Sequence, residues 1–277
     1  MKLPETETLA LELREGILHL TLNRPERKNA MNGKMLVELE QVFKLADEAA
    51  GKLRAVVLRG AGGSFCAGAD LKDMAARGGE LESDASKRDP KTATAAGNRR
   101  FGRVTAAAND MAVPLLAVLE GAVMGGGFGL ACVTDIALAH KGAKFGMPET
   151  SLGLVPAQIA PFVVQRLGLT QARRLMLTGA RIDGARAKQL GLVHEVFDST
   201  EALDAALDEV LAQVLRCAPR ANAATKRLLQ AVAAQALPDL SGVLDRAAEL
   251  FAEASLGDEG REGAQAFVDK RKPSWAR

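Results

Sequence analysis

The chain has 277 residues, a mean hydropathy near zero and a net charge of +2 from 36 basic and 34 acidic residues. That balance argues against a polybasic nucleic-acid or membrane-surface protein, and 4% aromatic content with no tyrosine argues against a base-stacking platform. No apolar run reaches the ~18–20 residues of a membrane span, and the opening MKLPETETLA lacks the apolar segment of a signal peptide.

Leu9 to Leu13 and Ile17 to Leu22 alternate about Glu15-Gly16 and predict a β-hairpin. Asn23 to Ala30 is a polar loop stiffened by Pro25. Met35, Leu36, Leu39, Val42, Phe43 and Ala46 then fall on one face of a predicted helix. Ala55 to Leu58 predicts a short buried strand, followed by the Gly-rich turn Gly60 to Asp70. Residues 75–94 present no apolar face and predict a mobile loop, either a lid or a solvated insertion, ahead of a helix from about Ala96 to Met111.

Pro114 to Leu119 is a buried strand by length and bulk, interrupted at Glu120-Gly121. Three glycines follow, Gly125 to Gly127, then a short apolar helix from Phe128 to Val133 and a strand from Asp135 to Ala139. Past Glu149, an apolar helix runs through Phe162, Val163 and Leu167. Helical segments Thr170–Leu177 and Asp183–Leu190 and a strand Val193–Phe197 come next. From Thr200 on the pattern is helical only: a stripe of Leu203, Leu207, Val210, Leu211 and Val214, then Ala221–Ala236, Leu240–Ala254 and Asp258–Lys270. The class is α/β (α+β), divided into a core of residues 1–199 and a helical region of residues 200–277.

Cys66, Cys132 and Cys217 are odd in number and far apart, and read as reduced core or near-core thiols of a cytoplasmic protein. A nucleophilic role for Cys66 or Cys132 stays open. His19, His140 and His194 lack metal-ligand spacing, so no metal is expected. The triplet Gly125-Gly126-Gly127 has two readings. It lets two elements pack closely, or it bares the first N–H groups of a helix to a phosphate, a carboxylate or an oxyanion. The string GGGFGL does not fit a dinucleotide fingerprint, because position 130 is leucine. A second Gly-rich turn, Ala67-Gly68-Ala69-Asp70, can supply another backbone N–H. Two such donors on one oxygen make an oxyanion hole, each worth ~3–4 kcal/mol at the transition state. Glu149 follows a proline in an apolar passage, so it is either exposed at a turn or held in a pocket that raises its pKa. Two donors and an acid suit chemistry that passes through a thioester enolate.

Ser64-Phe65-Cys66-Ala67-Gly68-Ala69-Asp70-Leu71, Gly121 to Gly127, Asp135-Ile136 and Phe145-Gly146-Met147-Pro148-Glu149 resemble the crotonase superfamily of enoyl-CoA hydratases and isomerases. Asn23-Arg24-Pro25, Asn29-Ala30-Met31-Asn32 and the ending Phe267 to Pro273 match it too. The resemblance implies a spiral of strand–strand–helix units with a C-terminal helical trimerisation region, a homo-trimer or hexamer, and an acyl-CoA substrate. It implies no cofactor beyond the coenzyme A of that substrate. It places the oxyanion donors at Ala69 and Gly126 and the catalytic acid at Glu149. It places substrate contacts at Arg27, Lys28, Ala30, Ala67, Asp70, Leu71, Lys72, Gly125 and Gly129. One departure stands out: two-acid hydratases carry a glutamate where this chain has Gly129, which the resemblance leaves as room for a bulky acyl chain or a water. The stretch from Pro148 to Val164 resembles hydratases of branched, carboxylated enoyl-CoA esters, the isohexenylglutaconyl-CoA type. Three activities follow: a hydratase, a Δ3-Δ2 isomerase working through Glu149 alone, or a CoA-binding protein without catalysis. Gln158 reads either as a polar contact or as helix surface, and the helical tail is expected to pack on neighbouring subunits.

Overall fold

The computed structural model describes residues 1–50, 52–73, 89–234 and 240–273. Strands β1 (Leu9–Arg14) and β2 (Ile17–Leu22) form the expected hairpin, with both turn residues at positive φ, 49° at Glu15 and 79° at Gly16. Strands β3 (Ala55–Gly60), β4 (Leu115–Leu119), β6 (Ile136–His140) and β9 (Glu195–Phe197) add in parallel, giving a six-stranded sheet in the order β1-β2-β3-β4-β6-β9. A second sheet holds β5 (Ala122–Met124), β7 (Lys144–Gly146) and β8 (Arg181–Asp183), β5 parallel and β8 antiparallel to β7. The chain steps repeatedly from one sheet to the other. β3 is followed by Cys66, which bridges to Val123; β4 by β5; and β6 by β7. Each step leaves the C-terminal end of one of the adjacent parallel strands β3, β4 and β6, so the crossing turns gather at that end of the large sheet.

The nine described helices are α1 (Gly33–Glu48), α2 (Pro90–Asp110), α3 (Gly126–Cys132), α4 (Ala160–Thr178, broken at Gly168), α5 (Gly184–Gln189), α6 (Thr200–Arg216), α7 (Pro219–Ala234), α8 (Leu240–Leu256) and α9 (Asp258–Val268). Asn32 caps α1 by accepting from Met35 N–H at 2.9 Å, and the predicted face of Met35, Leu39, Val42, Phe43 and Ala46 is buried. Side chains alternate across the large sheet. Leu18, Leu20, Val56, Leu58, Leu115 and Ala117 join the main core with α1, α2 and α4, whereas Ala55, Val57, Leu116 and Val118 face the other way.

That other face is covered by α6. Its Leu203, Leu207 and Leu211 are buried against the sheet, each contributing ~1.5–3 kcal/mol relative to exposure. The stripe expected to meet a neighbouring subunit is therefore covered within the chain itself. Helix α8 lies on α2 and puts Leu244 into the main core, so the core continues past residue 200. Apolar side chains left exposed include Leu228 and Leu229 on α7 and Phe267 and Val268 on α9. Two further expectations are corrected. Cys217 is exposed rather than near the core, and α2 begins at Pro90, capped by Asp89, so residues 90–94 are helical. Most of the segment expected to be mobile lies outside the described residues. The three short strands of the small sheet were not predicted, since three residues are too few to show a period.

Candidate active site

The two Gly-rich turns meet where β3 and β4 hand the chain to the small sheet. Gly68 C=O accepts from Met31 N–H at 2.8 Å, and Asp70 N–H donates to Met31 C=O at 2.9 Å. In a trans peptide, a residue's C=O and the next residue's N–H point opposite ways. Fixing Gly68 C=O on Met31 therefore turns Ala69 N–H outward, and Ala69 is exposed. The same logic governs the other turn. Gly125 C=O accepts from Gly129 N–H at 3.0 Å within α3, so Gly126 N–H points out of the helix end. Among the described residues neither N–H has an acceptor. The turns touch: a Cβ on Gly125 would lie 3.7 Å from Gly68 Cα and 2.9 Å from Glu149 Oε1. With φ of +50° at Gly125 and +99° at Gly68, both the space and the backbone require glycine.

Glu149 reaches this spot because β7 pairs with β5 and ends at Gly146, whose C=O accepts from Gly125 N–H at 2.9 Å. Met147-Pro148 then turn the chain, and Glu149 opens a 3-10 turn running to Leu152. Its Oε2 is buried without a hydrogen-bond partner among the described residues. Burial pushes its pKa from an ordinary 4.5 up to about 7, opposed only by a hydrogen bond to its own backbone N–H. A carboxyl poised near neutrality can both take and return a proton. The other acid nearby in sequence, Glu120, is engaged elsewhere: its carboxylate accepts from Thr200 Oγ1 at 2.8 Å and pairs with Arg59 at 3.8 Å.

Met31 and Phe101 wall this centre. A Cβ at Gly126 would lie 2.5 Å from Met31 Cε and 3.0 Å from Phe101 Cζ. Gly129 is buried, and a Cβ there would overlap Ile159 Cγ2 and stand 3.8 Å from Phe101 Cζ. The room expected at Gly129 is thus filled by Ile159. Gln158 is not on a helix surface either: it is 2% exposed, and its Nε2 donates to Leu244 C=O at 3.0 Å.

Arg24 holds the Ala69 turn from behind. Its Nη2 meets Asp70 Oδ2 at 3.0 Å and its Nη1 donates to Ala30 C=O at 2.5 Å, while Asp73 N–H donates to Asp70 Oδ1 at 3.3 Å. Buried Asn29 clamps the neighbouring strand end through Ala61 C=O at 2.8 Å and Ser64 C=O at 2.7 Å. Asp70, expected to touch substrate, thus spends both carboxylate oxygens on internal partners. Arg27, Lys28 and Lys72 are exposed around the same turns, unpaired among the described residues, and Ala30 is buried beneath them. Lys28 C=O accepts from Ala67 N–H at 2.9 Å, and Leu71 is half-buried beyond Asp70. Residue-type reasoning missed Arg24, Met31, Phe101 and Ile159. Arg24 and Met31 left a signal, their places in Asn23-Arg24-Pro25 and Asn29-Ala30-Met31-Asn32.

The thiols and imidazoles stand outside this chemistry. Burial pushes Cys66 up to about 12 and raises Cys132 as well, so neither is a thiolate at neutral pH. His194 Nδ1 accepts from Ala137 N–H at 3.0 Å, and His140 Nδ1 accepts from Gly142 N–H at 3.0 Å. Among the described residues, no helix is long and apolar enough to cross a membrane.

Residues 12–277 match the family model described as enoyl-CoA hydratase/isomerase. The 2,3-dehydroadipyl-CoA hydratase of Escherichia coli is 31% identical over 271 residues, covering 96% of this chain and 98% of that protein. The structure titled Pseudomonas aeruginosa AtuE is 53% identical with a TM-score of 0.76, covering 98% of this chain and 100% of that one. An enoyl-CoA hydratase/isomerase from Marinobacter aquaeolei is 50% identical with a TM-score of 0.77, covering 98% and 99%. The mixed α/β fold, its two Gly-rich turns and these matches agree, and the chain belongs to the enoyl-CoA hydratase/isomerase family.

Proposed function

We propose that this protein hydrates a 2-enoyl-CoA thioester, with Ala69 N–H and Gly126 N–H as the oxyanion hole and Glu149 as the one carboxylate, among the described residues, at the reacting carbons. The observation that carries this reading is the Glu149 carboxyl, whose Oε1 lies beside Gly125 on the turn that bears one of the two donors and whose Oε2 is buried without a partner among the described residues. Ionised Glu149 takes a proton from water as the water oxygen bonds to C3. The C2–C3 π electrons move toward the thioester carbonyl, and the two N–H groups stabilise the enolate oxygen. Glu149 then returns the proton to C2, giving the 3-hydroxyacyl thioester. Arg27, Lys28 and Lys72, exposed cations beside the Ala69 turn, suit the phosphates of coenzyme A.

The finer form of the proposal is a branched, carboxylated acyl group, which rests on the resemblance over Pro148 to Val164. Isomerisation is the second reading, favoured by Gly129 and Ile159 standing where a second acid would be. One carboxylate that moves a proton between C2 and C4 suffices for it. A protein that only binds CoA would gain nothing from an unpaired buried carboxyl, which costs stability. Purified protein given 2-enoyl-CoA and 3-enoyl-CoA esters in separate assays decides: water addition without double-bond migration supports the first reading, and migration alone overturns it.

Assembly into trimers or hexamers is part of the proposal. Its support is the exposed Leu228, Leu229, Phe267 and Val268, and a monomer in light scattering at micromolar concentration would refute it. The protein is proposed to act in the cytoplasm, where its three free thiols stay reduced.

A further inference from the structure

Beyond the Phe101 and Ile159 wall, three side chains hold polar atoms without partners. Asn98 Oδ1, Arg99 Nη1 and Gln158 Oε1 are all buried and unpaired among the described residues. Arg99 Nη1 and Gln158 Oε1 meet at Gly102. A Cβ built on Gly102 would overlap Gln158 Oε1 and lie 3.3 Å from Arg99 Nη1. Asn98 sits one turn earlier on the same face of α2 as Gly102. Two other atoms of these groups are already engaged: Gln158 Nε2 on Leu244 C=O at 3.0 Å, and Arg99 Nε on Asp245 at 2.6 Å. Asp245 is 66% exposed, so its pairing with Arg99 is open to solvent. The Gln158 amide is fixed as it stands, because turning it over would set its oxygen against Leu244 C=O.

The cluster adjoins the reacting centre through successive residues. Phe101, next to Gly102, walls Gly126, and Ile159, next to Gln158, covers Gly129. An acyl chain that starts at the oxyanion turns and passes Phe101 comes to this cluster. Buried polar groups are nearly always paired, and an unpaired set costs stability unless a ligand completes it. We infer that Asn98, Arg99 and Gln158 form a subsite for an oxygen-bearing group, a hydroxyl or a carboxyl, far along the acyl chain. The guanidinium N–H donates to that oxygen. A hydroxyl donates in turn to Gln158 Oε1, whereas a carboxylate draws chiefly on the charge of Arg99. This subsite deepens the hydratase reading and rests on it for the direction of the chain.

The test uses three 2-enoyl-CoA esters of equal length ending in methyl, hydroxyl and carboxylate. With the whole enzyme, kcat/KM for at least one oxygen-bearing ester should exceed that for the methyl ester by about 10-fold or more. Gln158→Met should remove the advantage of the hydroxyl ester, and Arg99→Met that of the carboxylate ester. The ranking overturns the subsite if the methyl ester equals or exceeds both others in the unsubstituted enzyme; the cluster then holds a buried water only. An advantage that survives both substitutions overturns it as well. Should Gln158→Met fail to fold, the ranking and Arg99→Met still decide. Calorimetric dissociation constants for the same esters test the subsite even if none is hydrated, which separates its failure from that of the hydratase reading.

Discussion

Replacing Glu149 by glutamine should cost turnover and change the pH dependence of stability in a direction fixed by burial. In the unfolded chain the carboxyl titrates near 4.5, whereas in the folded protein burial holds it up to about 7. Between those values the folded state keeps a proton that the unfolded state has released. Stability therefore falls as pH rises through this window, and the loss is complete above the folded pKa. Across the gap from 4.5 to about 7, at 1.36 kcal/mol per unit, the full penalty is ~3 kcal/mol. Between pH 5 and pH 8 the same two values give ~2–3 kcal/mol. Glutamine has no proton to lose and escapes this dependence. The stability of Glu149→Gln relative to the parent should accordingly rise by ~2–3 kcal/mol over that pH range, or ~5 °C in Tm, whatever its packing cost at any single pH. Urea or thermal melts of both proteins in matched buffers measure it. The same variant should lose ~10²–10⁴-fold in kcat while acyl-CoA binding persists, and the parent kcat/KM for hydration should rise through pH ~7 as the base form appears. A stability difference that does not change with pH would refute the argument, since it would mean that the carboxyl ionises freely in the folded protein. Full activity in the glutamine variant would refute the catalytic assignment by itself.

Gly129→Glu should not restore a second acid: overlap with Ile159 should cost ~1–3 kcal/mol in melts and leave crotonyl-CoA hydration no higher, until Ile159→Ala is added to make space. A gain in hydration from Gly129→Glu alone would show that Ile159 moves aside freely. Arg24→Met should lower kcat by roughly 10–100-fold, less than deleting an oxyanion donor, with KM little changed and Arg24→Lys partly restoring activity. A KM effect alone would make Arg24 a binding residue rather than a brace for Ala69. CoA affinity should weaken with added salt and with alanine at Arg27, Lys28 or Lys72; calorimetry that shows no salt dependence removes these cations from the CoA site.

Long periodic segments were legible in the sequence. The faces of α1 and α6 and the alternation of β2 carry enough residues to define a period, and their burial follows it, while the apolar run of β3 is buried on both faces. The stripe on α6 announced its own burial but not its partner, because an apolar face looks the same whether it covers a sheet of its own chain or of another. The Gly-rich turns and Glu149 were legible as chemistry, since glycine runs and an acid in an apolar passage are rare for physical reasons. Phe101, Ile159 and Arg24 were not. A core aromatic, a core aliphatic and a loop arginine have no local mark that separates a wall or a brace from filler, and their roles arise only when α2, the segment before α4 and the first loop converge. Gln158 shows the limit most plainly, because one glutamine before a helix reads equally as a polar contact or as surface until Leu244, 86 residues later, accepts its hydrogen bond.

The outward aim of Ala69 N–H and Gly126 N–H belongs to the main chain, so no ordinary side-chain substitution at either position deletes a donor. Only proline, which lacks the N–H, or a change that unseats Gly68 from Met31 can do so. In the proposed mechanism the thioester-polarising half is in this sense insulated from mutation, while the proton-handling half is a single replaceable side chain. Lineages built on this frame can therefore exchange, relocate or discard acids and sample new proton transfers on an activated carbonyl that stays in place. In this chain Ile159 packs over Gly129, beside the peptide units proposed to hold the oxygen.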